Sequence, residues 1–181
     1  MQYVVGLYYD KETESRIDSI VKKIADAGIS TKLLEWNTKP QITLGCFQDI
    51  DVEKCIKKLQ GFADIHEVMP AYIDSVGMFN DTRTIFLSPT MNRKMYQFHG
   101  ELHECLKDFD TDGGEWYCPE AWVPHCTVAL TREDHEAAFY QASDLVLREF
   151  RKIRGEFVSI GLGKMSIPVE EIVRMNVRRK S

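Results

Sequence analysis

Apolar positions along this chain recur in two periods, and the switches between them mark its elements. Residues 3–9 form a continuous apolar and aromatic run, which predicts a buried strand. Asp10 then caps a helix in which Ile17, Ile20, Val21 and Ile24 fall on one face, and Gly28 stops it. A short strand is predicted at residues 31–34, ahead of a clearer one at 41–47. From Asp49 or Asp51 a second helix buries Val52, Cys55, Ile56 and Leu59 and ends at Gly61. Residues 68–79 and 82–87 form a hairpin across Asn80 and Asp81, with Pro70 near a strand start, where proline is tolerated.

The second half repeats the alternation. Thr90 is expected to cap a helix whose apolar positions Met91, Met95, Phe98, Leu102 and Leu106 step by four and three. Residues 108–122 read as a polar, glycine-containing loop with aromatic residues, a length more often functional than filler. A strand at 123–130 follows. Thr131-Arg132-Glu133-Asp134 then resembles a capping box for a helix that buries Phe139, Ala142, Leu145 and Val146. Strands at 157–162 and 169–177 precede the basic tail Arg178, Arg179, Lys180.

Two of these strands carry one pattern. Val123-Pro124-His125-Cys126-Thr127-Val128 puts an imidazole and a hydroxyl two positions apart, on one face of a strand. Pro40-Gln41-Ile42-Thr43-Leu44 repeats it at an offset of 84 residues, with Gln41 in the place of His125. The same offset pairs Ser75, Val76, Gly77 and Met78 with Ser159, Ile160, Gly161 and Leu162. Two matched blocks separated by a helix predict a duplication: an α+β fold of strand-helix-strand-strand units, about 40–88 and 124–177, within a single bilobal domain over residues 1–181. Two antiparallel sheets are expected around a central cleft, with helices outside. Gly45 and Ala129 are placed on the faces of the polar residues, where small side chains leave room for a ligand.

Composition narrows the chemistry. The 181 residues are 44% hydrophobic and 28% charged, an ordinary globular balance. There is no run of about 18 apolar residues, and the amino terminus reads as a strand rather than a signal peptide. Five cysteines without a Cys-x-x-Cys suggest reduced thiols in a cytoplasmic protein, with no disulfide-linked partner and no zinc site. A net charge of −5 argues against broad affinity for long nucleic acid, yet leaves room for a pocket holding one phosphate.

Pro-Gln-Ile-Thr-Leu and Pro-His-Cys-Thr-Val, with the Gly-Met-Phe…Thr-Ile-Phe-Leu hairpin between them, resemble the two-histidine (2H) phosphoesterases. That superfamily includes 2′-5′ RNA ligase-like proteins and cyclic phosphodiesterases, and the likeness spans residues 3–177. It implies a metal- and cofactor-independent cleft for a 2′,3′-cyclic phosphate or a 2′-5′ linked nucleotide or RNA end. One histidine would act as base and the other as acid, with the two threonines holding phosphate oxygens. His125, Thr127 and Thr43 match the motif; Gln41 departs from it. Glutamine exchanges hydrogen bonds with a phosphate or a water but cannot shuttle a proton at pH 7. His125, Thr127, Thr43 and Gln41 are therefore the candidate catalytic residues, with Thr43, Thr127 and Gln41 also binding the phosphate.

Around these strands, Trp36, Tyr117 and Trp122 could stack on a base at the mouth of the cleft or pack on the protein's own surface, with Trp122 the candidate substrate contact. His99 and His103 stand four apart on a predicted helix; surface imidazoles are the expectation and a metal pair the alternative. His66 and His135 receive no role. Arg148, Arg151, Lys152 and Arg154 read as a solvated helix end, with an RNA backbone contact as the alternative. The chain is expected to act as a monomer on a small nucleotide or RNA-end phosphate, away from membranes. Two readings follow. One is a phosphodiesterase working with a single imidazole; the other is a binding module in which Gln41 has ended turnover.

Overall fold

A computed structural model describes residues 2–109, 114–131 and 136–179 of the chain. The strands are β1 (Gln2–Tyr9), β2 (Gln41–Gln48), β3 (Met69–Phe79), β4 (Thr84–Pro89), β5 (Cys126–Leu130), β6 (Ile153–Lys164) and β7 (Glu170–Asn176). The helices are α1 (Lys11–Asp26), α2 (Lys32–Glu35), α3 (Val52–Ile65), α4 (Arg93–Leu106), α5 (Gly114–Tyr117) and α6 (Glu136–Glu149). The fold is α+β with antiparallel strand pairs and flanking helices, as the repeat predicts. Among the described residues no helix is long and apolar enough to cross a membrane.

The two expected sheets are hydrogen-bonded into one, in the order β2-β1-β6-β3-β4-β5, with β7 also on β6. The reason is the length of β6. Its residues 157–164 pair with β1, while 153–157 pair with residues 69–73 of β3. Past Ile73, β3 leaves β6 and pairs with β4, while β7 takes the vacated edge of β6. Two lobes, β2-β1-β6-β7 and β3-β4-β5, thus diverge from a shared stem, and their outermost strands β2 and β5 approach each other again.

One apolar layer lies between the sheet and the helices. Val5, Leu7 and Tyr9 of β1, Ile42 of β2 and Ile160 and Leu162 of β6 are fully or almost fully buried against it. Ile17 and Ile24 of α1 pack there, and so do Phe98 and Leu102 of α4. Asp10 caps α1 by accepting from the Thr13 backbone N–H at 3.0 Å, and Gly28 takes the left-handed φ of 70° after the helix, as expected.

Four local expectations are corrected. Residues 31–34 enter the helical turn α2, because only Leu33 of that segment is buried and its amides bond back to Thr31 and Lys32. Helix α3 runs through Gly61 to Ile65, held by the burial of Phe62 and Ala63. The cap of α4 is Asn92, which accepts from the Met95 N–H at 3.0 Å, so Met91 lies outside the helix. Residue Ala129 and Gly45 face the core rather than the cleft, for the reason given below. The proposed capping box at 131–134 lies mostly outside the described residues.

Candidate functional site

The repeat is deeper than its sequence. In β2, Thr43 pairs with Gly6 and Gly45 with Val5, so Leu44 is an extra residue in the ladder. In β5, Thr127 pairs with Phe86 and Ala129 with Ile85, so Val128 is the extra residue. Leu44 and Val128 are themselves 84 residues apart. A bulge breaks the strict alternation of side chains. Gln41 and Thr43, and likewise His125 and Thr127, keep the polar face, while Leu44 with Gly45 and Val128 with Ala129 turn inward and are buried. The small residues therefore do not line the cleft.

His125 sits just before β5, against the edge of the Phe79 ring at 4.9 Å and the Phe86 ring at 5.3 Å. Its Nδ1 is 2.7 Å from the Val123 carbonyl. A carbonyl only accepts, so Nδ1 carries the proton and Nε2 presents a lone pair. Burial holds the imidazole below its ordinary pKa, against the opposing pull of the Val123 carbonyl, which keeps it neutral at pH 7. This is the protonation state of a general base.

Gln41 stands at the other strand start. Its backbone N–H reaches the buried Cys126 thiol, so Gln41 and His125 lie at neighbouring ends of β2 and β5. Its side chain lies over Gly6, where an added Cβ would come within 2.0 Å of Oε1. That oxygen is buried without a partner among the described residues. Tyr8 is the direct cross-strand neighbour of Gln41, and its ring rests on the Gly6–Gly161 pair. The Arg174 guanidinium covers the Tyr8 ring at 3.8 Å and pairs with Glu14 at 2.8 Å and Glu171 at 3.0 Å. The second lobe uses the same device, for the Phe86 ring occupies the space a Cβ on Gly77 would need, and Gly77 is the repeat partner of Gly161.

Thr43 is more enclosed than its motif suggests. Helix α5 lies against β2, and the Tyr117 hydroxyl is within hydrogen-bonding reach of the Thr43 hydroxyl and the Cys46 thiol. Burial pushes the Tyr117 phenol up to about 12, so at neutral pH it donates hydrogen bonds and is not a base. Trp122 is not at the mouth of the cleft. It is 7% exposed, stacks on His99 with centroids 3.7 Å apart, and donates from Nε1 to the Thr43 carbonyl at 3.0 Å. Its expected contact with a base is overturned, because the indole is used to cover the outer edge of β2. Trp36 is half-buried at the end of α2, and its carbonyl accepts from the Val169 N–H at 2.7 Å.

His99 and His103 are not surface imidazoles. His99 is fully buried, and the Nε2 atoms of both rings lie 2.9 Å from the Leu44 carbonyl and 3.1 Å from each other. The bulge supplies the reason, since it frees the Leu44 carbonyl from the β1 ladder and a side chain must satisfy it. Among the described residues no third His, Cys, Asp or Glu joins the pair as a metal set. Burial drives the His99 pKa down to about 4, partly offset by the Leu44 hydrogen bond and reinforced by His103. A ring with a folded pKa below its unfolded value of about 6.5 binds fewer protons when folded, so its stabilisation is present above pH 6.5 and lost between 6.5 and 4. The full loss is about 3 kcal/mol. His99→Gln, whose amide still donates to Leu44, is expected to flatten this acid slope; urea midpoints at pH 7 and pH 4.5 in both proteins measure it.

The remaining candidates take structural places. His66 ends α3, stacked on Phe62 at 3.9 Å and 3.4 Å from Glu101. His135 lies outside the described residues. Arg154 pairs with Asp74 at 2.7 Å over the Tyr72 ring, Lys152 lies 3.7 Å from the same carboxylate, and Arg148 pairs with Asp144. Arg151 is tied to the carbonyls of Arg148 and Phe150. Sequence reasoning missed Tyr8 and Arg174, since nothing in the pattern fixes the register of β1 against β2 or of β7 against β6. It also passed over Trp116, which is 76% exposed on α5 beside Tyr117.

Comparison with known proteins places the chain in a family and shows the fold it shares. The sequence profile described as the 2′-5′ RNA ligase superfamily matches residues 37–164, which include both motif strands. A search of curated proteins finds no significant match. Among solved structures, E. coli LigT in apo form superposes with a TM-score of 0.59 at 14% identity, over 97% of this chain and 96% of that one. E. coli LigT complexed with 3′-AMP gives 0.56 at 14% identity, over 97% of each chain. A structure described as a phosphoesterase gives 0.54 at 13% identity, again over 97% of each. At such identities the likeness shows a shared fold.

Proposed function

Because the chain belongs to the 2′-5′ RNA ligase superfamily, we propose that it is a metal-independent phosphodiesterase acting on a 2′,3′-cyclic phosphate or a 2′-5′ linked nucleotide or RNA end. The observation that carries this reading is the state of His125: neutral, Nδ1–H fixed on Val123, Nε2 open beside the Thr127 strand. In hydrolysis of a cyclic phosphate, Nε2 takes a proton from the attacking water as its oxygen bonds to phosphorus. The bond from phosphorus to the leaving ribose oxygen breaks, and that oxygen must gain a proton. In-line geometry puts the leaving oxygen on the side away from His125, where Gln41 stands. Its amide donates a hydrogen bond there but transfers no proton, so solvent supplies it. Thr127 and Thr43 hold the non-bridging oxygens, Thr43 once Tyr117 exchanges its contact for the phosphate.

Gln41 favours a second reading, a module that holds a nucleotide or RNA end without cleaving it. Hydrolysis of nucleoside 2′,3′-cyclic phosphates in excess chelator, by wild type and Thr127→Val, separates the two. The enzyme reading expects turnover that survives chelation and a roughly 10–100-fold loss in Thr127→Val, the value of one hydrogen bond to a charged group. Binding without turnover would leave the module, and neither binding nor turnover would end both readings.

A further inference from the structure

Beside Gln41 lies a hollow of about 190 Å³ that the phosphate chemistry does not use. Val4 and Val169 form apolar walls, Asn37 and Gln41 bring amides, Lys39 brings a cation and Glu171 a carboxylate. The volume is below the 300–1,000 Å³ typical of drug-sized sites and suits one planar heterocycle. Its shape is fixed by the backbone. Asn37 turns the chain with a left-handed φ of 53°, the Val169 N–H closes onto the Trp36 carbonyl at 2.7 Å, and Gly163 leaves its part of the floor bare. Glu171 is oriented by Arg174 at 3.0 Å yet keeps a 47% exposed side chain, so carboxylate lone pairs stay open to a ligand. Lys39 is exposed, within electrostatic reach of Asp18 on α1.

We propose that this hollow is a nucleobase subsite, and that its charges favour guanine. The inference rests on the reading that a nucleotide phosphate lies between His125 and Gln41, for Gln41 lines both places and a base one ribose away would enter here. Guanine offers acceptors at O6 and N7, which suit the Lys39 ammonium, and donors at N1 and N2, which suit the Glu171 carboxylate. Adenine puts a donor where guanine has O6 and an unprotonated nitrogen where guanine has N1–H, so each charge would meet the wrong partner.

Calorimetric binding of 3′-GMP, 3′-AMP, guanosine, adenosine and inorganic phosphate to wild type, Lys39→Met and Glu171→Gln tests it. Wild type is expected to bind 3′-GMP at least about tenfold more tightly than 3′-AMP, the value of one good polar match. Each variant should lose most of that preference while inorganic phosphate binds as before. Equal affinity for 3′-GMP and 3′-AMP, or a preference that survives both substitutions, would overturn the subsite and leave the phosphodiester reading intact. Preference for guanosine over adenosine with no phosphate affinity anywhere would keep the subsite and remove the phosphodiester reading.

Discussion

Gln41→His is expected to raise hydrolysis of nucleoside 2′,3′-cyclic phosphates by about 10²–10⁴-fold, the value of one positioned proton transfer. The equivalence of the two motif strands supports that expectation. Gln41 and His125 hold equivalent positions two residues before Thr43 and Thr127, and each strand carries its bulge at the same point of the repeat, Leu44 and Val128. Each also has an aromatic ring seated on a repeat-related glycine beside it: Tyr8 on Gly161, Phe86 on Gly77. Gly6 provides the space into which Gln41 now folds, and an imidazole reaches less far than the glutamine amide it would replace. The substitution also removes a buried oxygen that has no partner among the described residues. A second titrating group adds a second limb to the pH–rate profile, so the gain should come with a bell shape absent from wild type. An unchanged rate and an unchanged profile in a folded Gln41→His protein would show that position 41 does not face the leaving group.

What the sequence made legible is what depends on periodicity and on the duplication. The offset of 84 residues located both motif strands and both Ser-x-Gly strands, and the apolar spacing of Ile17, Ile20, Val21 and Ile24 oriented α1. Register was not legible, because hydrogen-bond pairing between distant segments leaves no local trace. Hence the joining of β3 to β6, the bulges at Leu44 and Val128 and the neighbourhood of Tyr8 with Gln41 emerge only from the fold. The bulges account for most of the misplacements at the site. Gly45 and Ala129 turn inward because of them, and His99 and His103 are drawn from the expected surface to the freed Leu44 carbonyl. Trp122 is drawn in beside them to cover the next carbonyl, that of Thr43. A polar residue at helical spacing reads as exposed until an unpaired backbone group gives it a reason to be buried.

His125→Ala should remove nearly all turnover, about 10²–10⁴-fold, while leaving nucleotide binding largely in place, because in the proposed mechanism the imidazole acts on the proton while Thr127 and Gln41 hold the phosphate. The substitution leaves the fold's main contacts intact: the ring lies at the cleft surface between Phe79 and Phe86, and its hydrogen bond among the described residues is to the Val123 carbonyl two residues away. The pH dependence gives an independent check. Burial lowers the His125 pKa, so the neutral, active form persists below the ordinary histidine value of 6.5. Wild-type kcat/KM should therefore fall along an acid limb whose midpoint lies below pH 6.5, with the limb absent from the residual rate of His125→Ala. Steady-state rates between pH 4.5 and 8 measure both. Residual activity within about threefold of wild type, with the acid limb still present, would assign the limb to another group and remove His125 from the proton transfer.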